Sequence, residues 1–177
     1  MSADLPVVLV EVDLPDAPAT RAFGHELAGA LRAGDLVVLT GALGAGKTTL
    51  TQGLGDGLGV RGPVASPTFI IARVHPTTVG GPDLVHVDAY RLGSLEELDA
   101  LDLDASLEES VTVVEWGEGL AEVLSQDRLE VTIERPRGAA PGEDLLDAEV
   151  GVRRVTVRGI GPRWSGTTLP AGARVGG

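Results

Sequence analysis

The sequence predicts an α/β fold in which a mostly parallel sheet is flanked by helices and carries an antiparallel portion. Three observations lead there. Residues 41–48 read Gly-Ala-Leu-Gly-Ala-Gly-Lys-Thr, the G-x-x-x-x-G-K-[ST] pattern whose backbone N–H groups curl around phosphates. An apolar, β-branched run at 35–40 enters that octapeptide, and Leu50, Leu54 and Leu58 leave it at four-residue intervals, as a buried strand and an amphipathic helix do. Two more short apolar runs, 84–88 and 111–115, each end in a carboxylate. Strand, glycine-rich loop and helix in that order predict a domain resembling P-loop nucleoside triphosphatases.

The elements follow in chain order. Residues 5–12 are rich in β-branched side chains and read as a first strand, closed by a turn at 13–18. A helix over 19–32 places Phe23, Leu27, Ala28 and Leu31 on one side and ends at Ala33-Gly34. The strand at 35–40 and the loop lead to a helix over 48–58, with Gly59 as its terminator and Gly53, Gly55 and Gly57 weakening its propensity. Ser66-Pro67-Thr68 leads into a strand over 69–74, which a turn-rich stretch joins to the strand at 84–88 as a hairpin with a long connection. Ser94 and Glu97 form a capping box for a short acidic helix through Leu101. A strand at 111–115, a helix at 117–124 and late strands at 128–134 and 150–158 complete the pattern, with a loop at 136–143. Residues 1–158 are expected to form a single domain, and 159–177 a flexible C-terminal tail.

Composition narrows the function. A chain of 177 residues suits one domain with a single sizeable core. It is 43% hydrophobic and 23% charged, and no apolar stretch approaches the roughly 20 residues that span a bilayer. No membrane partner is therefore expected. The amino terminus lacks the basic and apolar regions of a secretory signal, so the cytoplasm is the expected compartment. The absence of cysteine excludes disulfides and cysteine-ligated metal. A formal net charge of −12 argues against a direct grip on nucleic acid, which draws most of its affinity from phosphate neutralisation. The acid is uneven: nothing acidic follows Glu149, whereas Arg153, Arg154, Arg158, Arg163 and Arg174 do. That end reads either as a surface for an anion or as a solvated edge strand with a loose tail.

Lys47 is the chain's single lysine, beside thirteen arginines. A compact ammonium threads between β- and γ-phosphates where a planar guanidinium does not. The predicted phosphate cradle is Gly41, Ala42, Leu43, Gly44, Ala45, Gly46, Lys47 and Thr48, with Thr49 next in the helix. Bound ATP needs Mg²⁺, which takes oxygen ligands, and in parallel sheets ligands gather beyond the carboxyl ends of the strands. Asp88 and Glu115, each ending an apolar run, are the carboxylates in question, and the Thr48 hydroxyl reaches the same ion. Ser66-Pro67-Thr68 offers hydroxyls either to the γ-phosphate or to its own turn. Arg91 either stabilises a transferring phosphoryl group or pairs with a nearby acid, and Trp116 either packs in the core or covers a site.

Residues 41–48, then Ser66-Pro67-Thr68-Phe69, then His86-Val87-Asp88-Ala89-Tyr90-Arg91-Leu92, then Val114-Glu115-Trp116 together resemble the TsaE (YjeE) family. The resemblance covers about 16–157 and departs from the family pattern at Ala42, Val87, Ala89 and Gly117. It implies a bacterial ATPase that assists TsaB and TsaD in making N6-threonylcarbamoyladenosine in tRNAs that read codons beginning with A, with tRNA met only through the complex. It further implies nucleotide and Mg²⁺ roles for Lys47 and Thr48, metal ligation by Glu115, a part in hydrolysis for Asp88, and a place near the phosphates for Thr68.

Three other classes compete, one of them a binding module that adopts one shape with ATP and another without it, hydrolysis serving only to reset a complex. A guanine-specific switch needs a second, lysine-bearing element for the base, and Lys47 is already used, so ATP is the expected nucleotide. A small P-loop kinase would use Asp88 or Glu115 to activate an acceptor hydroxyl on a metabolite, but the chain has no evident arginine-rich lid.

Overall fold

A computed structural model describes residues 8–41, 46–60, 72–88, 108–115, 127–134 and 152–170. One seven-stranded sheet contains β1 (Val8–Leu14), β2 (Leu36–Gly41), β3 (Ala72–His75), β4 (Asp83–Asp88), β5 (Ser110–Glu115), β6 (Arg128–Glu134) and β7 (Arg153–Ile160). Their spatial order is β1-β7-β6-β2-β5-β4-β3. The four middle strands β6, β2, β5 and β4 run parallel. Antiparallel strands flank them, with β7 and then β1 on one side and β3 on the other. This is the mixed α/β architecture the sequence predicts, including the hairpin between β3 and β4.

Strand burial explains the sequence patterns. β2 and β5 are central and covered on both faces, so Leu36, Val37, Val38 and Leu39 are all buried, as are Val111, Val113 and Val114. β7 alternates instead, burying Arg153, Val155 and Val157 while Arg154 stays exposed.

Two helices lie among the described residues, α1 (Ala17–Ala28) and α2 (Lys47–Leu58). Neither is long and apolar enough to cross a membrane. Phe23, Leu27, Leu50, Leu54 and Leu58 join Val37, Leu39, Val113, Val131 and Val157 in one core. The glycines that weaken α2 have a packing reason: a Cβ on Gly53 would collide with the Arg21 carbonyl, and one on Gly57 would lie 2.6 Å from the His25 carbonyl oxygen. Gly24 meets the backbone of α2 in the same way, so the two helices touch backbone to backbone.

Several boundaries differ from the predicted ones. α1 starts two residues early because the Asp16 carboxylate accepts from the Ala19 N–H at 2.8 Å and Pro18 is pre-shaped for a first turn. It stops at Ala28 rather than residue 32, where the Gly29 N–H turns back to the Glu26 carbonyl. β1 continues through Leu14 because Asp13 and Leu14 pair with Arg154 and Arg153.

The expected tail from residue 159 is corrected. β7 runs on to Ile160, a 3-10 turn covers Pro162–Trp164, and Trp164 and Leu169 are buried in the core. Arg163 anchors this segment with a two-pronged pair to Asp35, 3.0 Å to each carboxylate oxygen. It also donates to the Ala30 carbonyl at 2.9 Å and lies over the Trp164 ring. Nor is β7 an edge strand, since β1 covers it. Its arginines serve the fold: Arg154 pairs with Asp13 and Arg158 with Glu130. The expected helices at 94–101 and 117–124, the loop at 136–143 and the last seven residues lie outside the described residues.

Candidate nucleotide site

The site grows from the carboxyl end of β2. Gly41, the last residue of that strand, is buried, and its carbonyl accepts from the Lys47 ammonium at 2.5 Å. Lys47 opens α2 and is itself buried, so the loop between them is closed by its own lysine. Gly46, the residue before the helix, has φ 112° and ψ 16°. That conformation is strained for any residue with a Cβ, which is why glycine stands there. The Gly46 carbonyl accepts the first helical bond from the Leu50 N–H at 2.9 Å, and the Thr51 hydroxyl donates to the Lys47 carbonyl at 2.8 Å. The positive end of the helix dipole lies at the start of α2, and no acidic side chain in its first turn opposes an anion there.

Strand register brings the carboxylates to the same end of the sheet. Leu39 of β2 is the Cα partner of Glu115, and Glu115 is the partner of Asp88 on β4. The Glu115 side chain is buried, and its Oε1 has no hydrogen-bond partner. Its other oxygen lies 3.5 Å from Nε2 of the fully buried His86. A buried carboxylate with an unmet oxygen is the donor a hard divalent cation takes, so the residues present fit Mg²⁺. Thr48 and Thr49, half-buried on the first turn of α2, follow Lys47 directly. Ala42, Leu43, Gly44, Ala45 and Thr68, together with Ser66, Tyr90, Arg91 and Trp116, lie outside the described residues.

Two features escaped the sequence reading. In the sequence His86 is only a near neighbour of Asp88, whereas the fold sets it against Glu115. Arg153 was counted only as part of a basic end, whereas it begins β7 at the same edge as the phosphate loop. Its Nε lies 3.0 Å from the position a Cβ on Gly46 would take, and the residue is 3% exposed. The search for site residues at the carboxyl ends of strands misses it because β7 is antiparallel and begins where its neighbours end.

A parallel-centred sheet in which a buried strand runs through a lysine-closed turn into a helix defines the class of mixed α/β proteins. Within that class, the family model described as "Threonylcarbamoyl adenosine biosynthesis protein TsaE" matches residues 14–140, and the chain belongs to this family. It is 61% identical over 146 residues to a Streptomyces coelicolor protein named "tRNA threonylcarbamoyladenosine biosynthesis protein TsaE", covering 82% of this chain and 93% of that one. A Bacillus subtilis protein of the same name is 36% identical, with 82% of each chain covered. The crystal structure of Bacillus subtilis YdiB superposes with a TM-score of 0.64 at 30% identity, covering 89% of both chains.

Proposed function

We propose that this chain binds and hydrolyses ATP with Mg²⁺ as an accessory protein in making threonylcarbamoyladenosine in tRNAs that read codons beginning with A, acting with TsaB and TsaD. One observation carries the reading: the buried Lys47 ammonium closes a turn that leaves β2 two residues past the strand partner of Glu115, a buried carboxylate with an unmet oxygen. The names of the relatives in Streptomyces coelicolor and Bacillus subtilis support the pathway.

Each residue then has a separable task. Lys47 exchanges the Gly41 carbonyl for phosphate oxygens, and the start of α2 supplies backbone donors and the positive end of the helix dipole to the same anion. Thr48 and Glu115 would hold Mg²⁺, which supplies charge neutralisation on the phosphates. Asp88, the register neighbour of Glu115, is assigned to hydrolysis. Water is the acceptor, and the reaction serves the assembly rather than a metabolite. With a net charge of −12, the chain meets tRNA through its partner proteins.

The test is co-purification of the full chain with TsaB and TsaD, with and without ATP, beside a product assay using labelled ATP. Nucleotide-dependent retention and release of inorganic phosphate are expected. Retention that ignores ATP removes the assembly role. A phosphorylated metabolite in place of inorganic phosphate establishes the small P-loop kinase instead.

A further inference from the structure

Arg153 is a buried cation outside the span matched by the family model, and it touches the phosphate loop. Its neighbours explain how it comes to be there. Ile133 of β6 pairs with Gly41 of β2 on one side and with Val155 of β7 on the other. Two residues back from Val155, on the same face of β7, the chain reaches Arg153 beyond the carboxyl end of β2. The side chain lies across Gly46, with Nε and Cδ 3.0 Å and 3.1 Å from where a Cβ would stand. Thr20 of α1 lines the same spot at 3.8 Å, so Gly46 is packed between the two helices' amino ends and β7.

We infer that Arg153 is a positioning residue for nucleotide binding, through its buried contact with Gly46 at the start of α2. Two physical effects combine. The stem of the side chain occupies the space beside Gly46 and holds the left-handed turn from which Lys47 opens α2. The guanidinium adds a second buried positive charge next to the first helical turn, where an anion gains from it more than it would at an exposed site. Glycine at 46 is thus required twice, for its backbone angle and for the room it leaves to Arg153. The inference rests on the ATP-binding reading above and adds that β7 takes part in it.

Binding of ATP, ADP and adenosine to the full chain with Mg²⁺ tests this by calorimetry, using the wild type, Arg153→Met and Arg153→Lys, with thermal unfolding of each protein measured without nucleotide. Methionine keeps much of the stem and removes the charge. ATP affinity of Arg153→Met is expected to fall on the order of tenfold or more, with a smaller fall for ADP and none for adenosine, and with lysine restoring part of the loss. A purely structural role predicts instead a lowered unfolding temperature with equal losses for all three ligands, and that result overturns the inference. So does wild-type ATP affinity in Arg153→Met. If the wild type itself binds no ATP, the proposed function fails first.

Discussion

The two flanks of β2 carry opposite chemistry at the same edge of the sheet. On one side, parallel β5 and β4 end in Glu115 and Asp88. On the other, antiparallel β7 begins with buried Arg153, and further along it Arg154 and Arg158 face Asp13 and Glu130. The loop closed by Lys47 stands between an acidic flank, where Glu115 and Asp88 end their strands, and a flank where β7 opens with the buried Arg153. The lesson concerns strand direction. Parallel strands bring their last residues to a ligand, whereas an antiparallel neighbour brings its first, so one edge collects residues from both ends of strands.

The most disruptive change undermines both flanks together. Gly53→Ala drives a methyl group into the Arg21 carbonyl and separates α1 from α2. A loss of about 3 kcal/mol is expected in urea unfolding, since backbone cannot yield as a side-chain tip does. Stability within 1 kcal/mol of wild type, on that order-of-magnitude scale, would mean the helices do not touch backbone to backbone.

Glu115→Gln sharpens the comparison by weakening the acidic flank alone. Turnover with Mg²⁺ is expected to fall about a hundredfold, equivalent to about 2.7 kcal/mol, while Mg²⁺-free nucleotide binding is kept. Equal loss of both would argue against metal ligation. At the opposite edge of the sheet, Arg163→Ala removes a pair with the nearly buried Asp35, the bond to Ala30 and the contact with Trp164. Because Arg163 is 13% exposed at its side chain, a stability loss of about 2 kcal/mol is expected, somewhat below that of a fully buried pair. Nucleotide affinity should be unchanged, because Asp35 lies at the opposite end of β2 from the site.

The smallest effect concerns pH. His75 on β3 has its pKa lowered from the ordinary 6.5, first by burial and then by the neighbouring His86 and Arg73. Its folded form resists protonation more than its unfolded form, so the associated stability is present above pH 6.5 and is lost as pH falls below it. In His75→Gln, the fall in stability between neutral and mildly acidic pH should be shallower by a few tenths of a kcal/mol. An unchanged slope would mean that His75 titrates alike in both states.

How much was legible in the sequence follows from how local each signal is. The strand–loop–helix junction was readable because each of its parts lies within a dozen neighbours: the β-branched run, the glycines, the lysine and the leucine repeat. The shared edge of Asp88 and Glu115 is readable because each ends an apolar run and parallel register makes strand ends coincide. The glycines of α2 read as weaknesses, since the backbone they accommodate belongs to α1. The C-terminal segment reads as a tail because Arg163 has its partners at Asp35 and Ala30, more than a hundred residues earlier. Arg153 was visible only as charge, because its meaning depends on β7 lying antiparallel beside β6.

The central claim is that the turn closed by Lys47 is shaped for a triphosphate. Calorimetric titration of ATP with Mg²⁺ into the full chain and into Lys47→Ala tests it most directly. Saturable binding by the wild type, weakened at least a hundredfold in the variant, is the predicted result, corresponding to about 2.7 kcal/mol or more. Equal affinity in the two proteins, or no heat of binding in either, contradicts it.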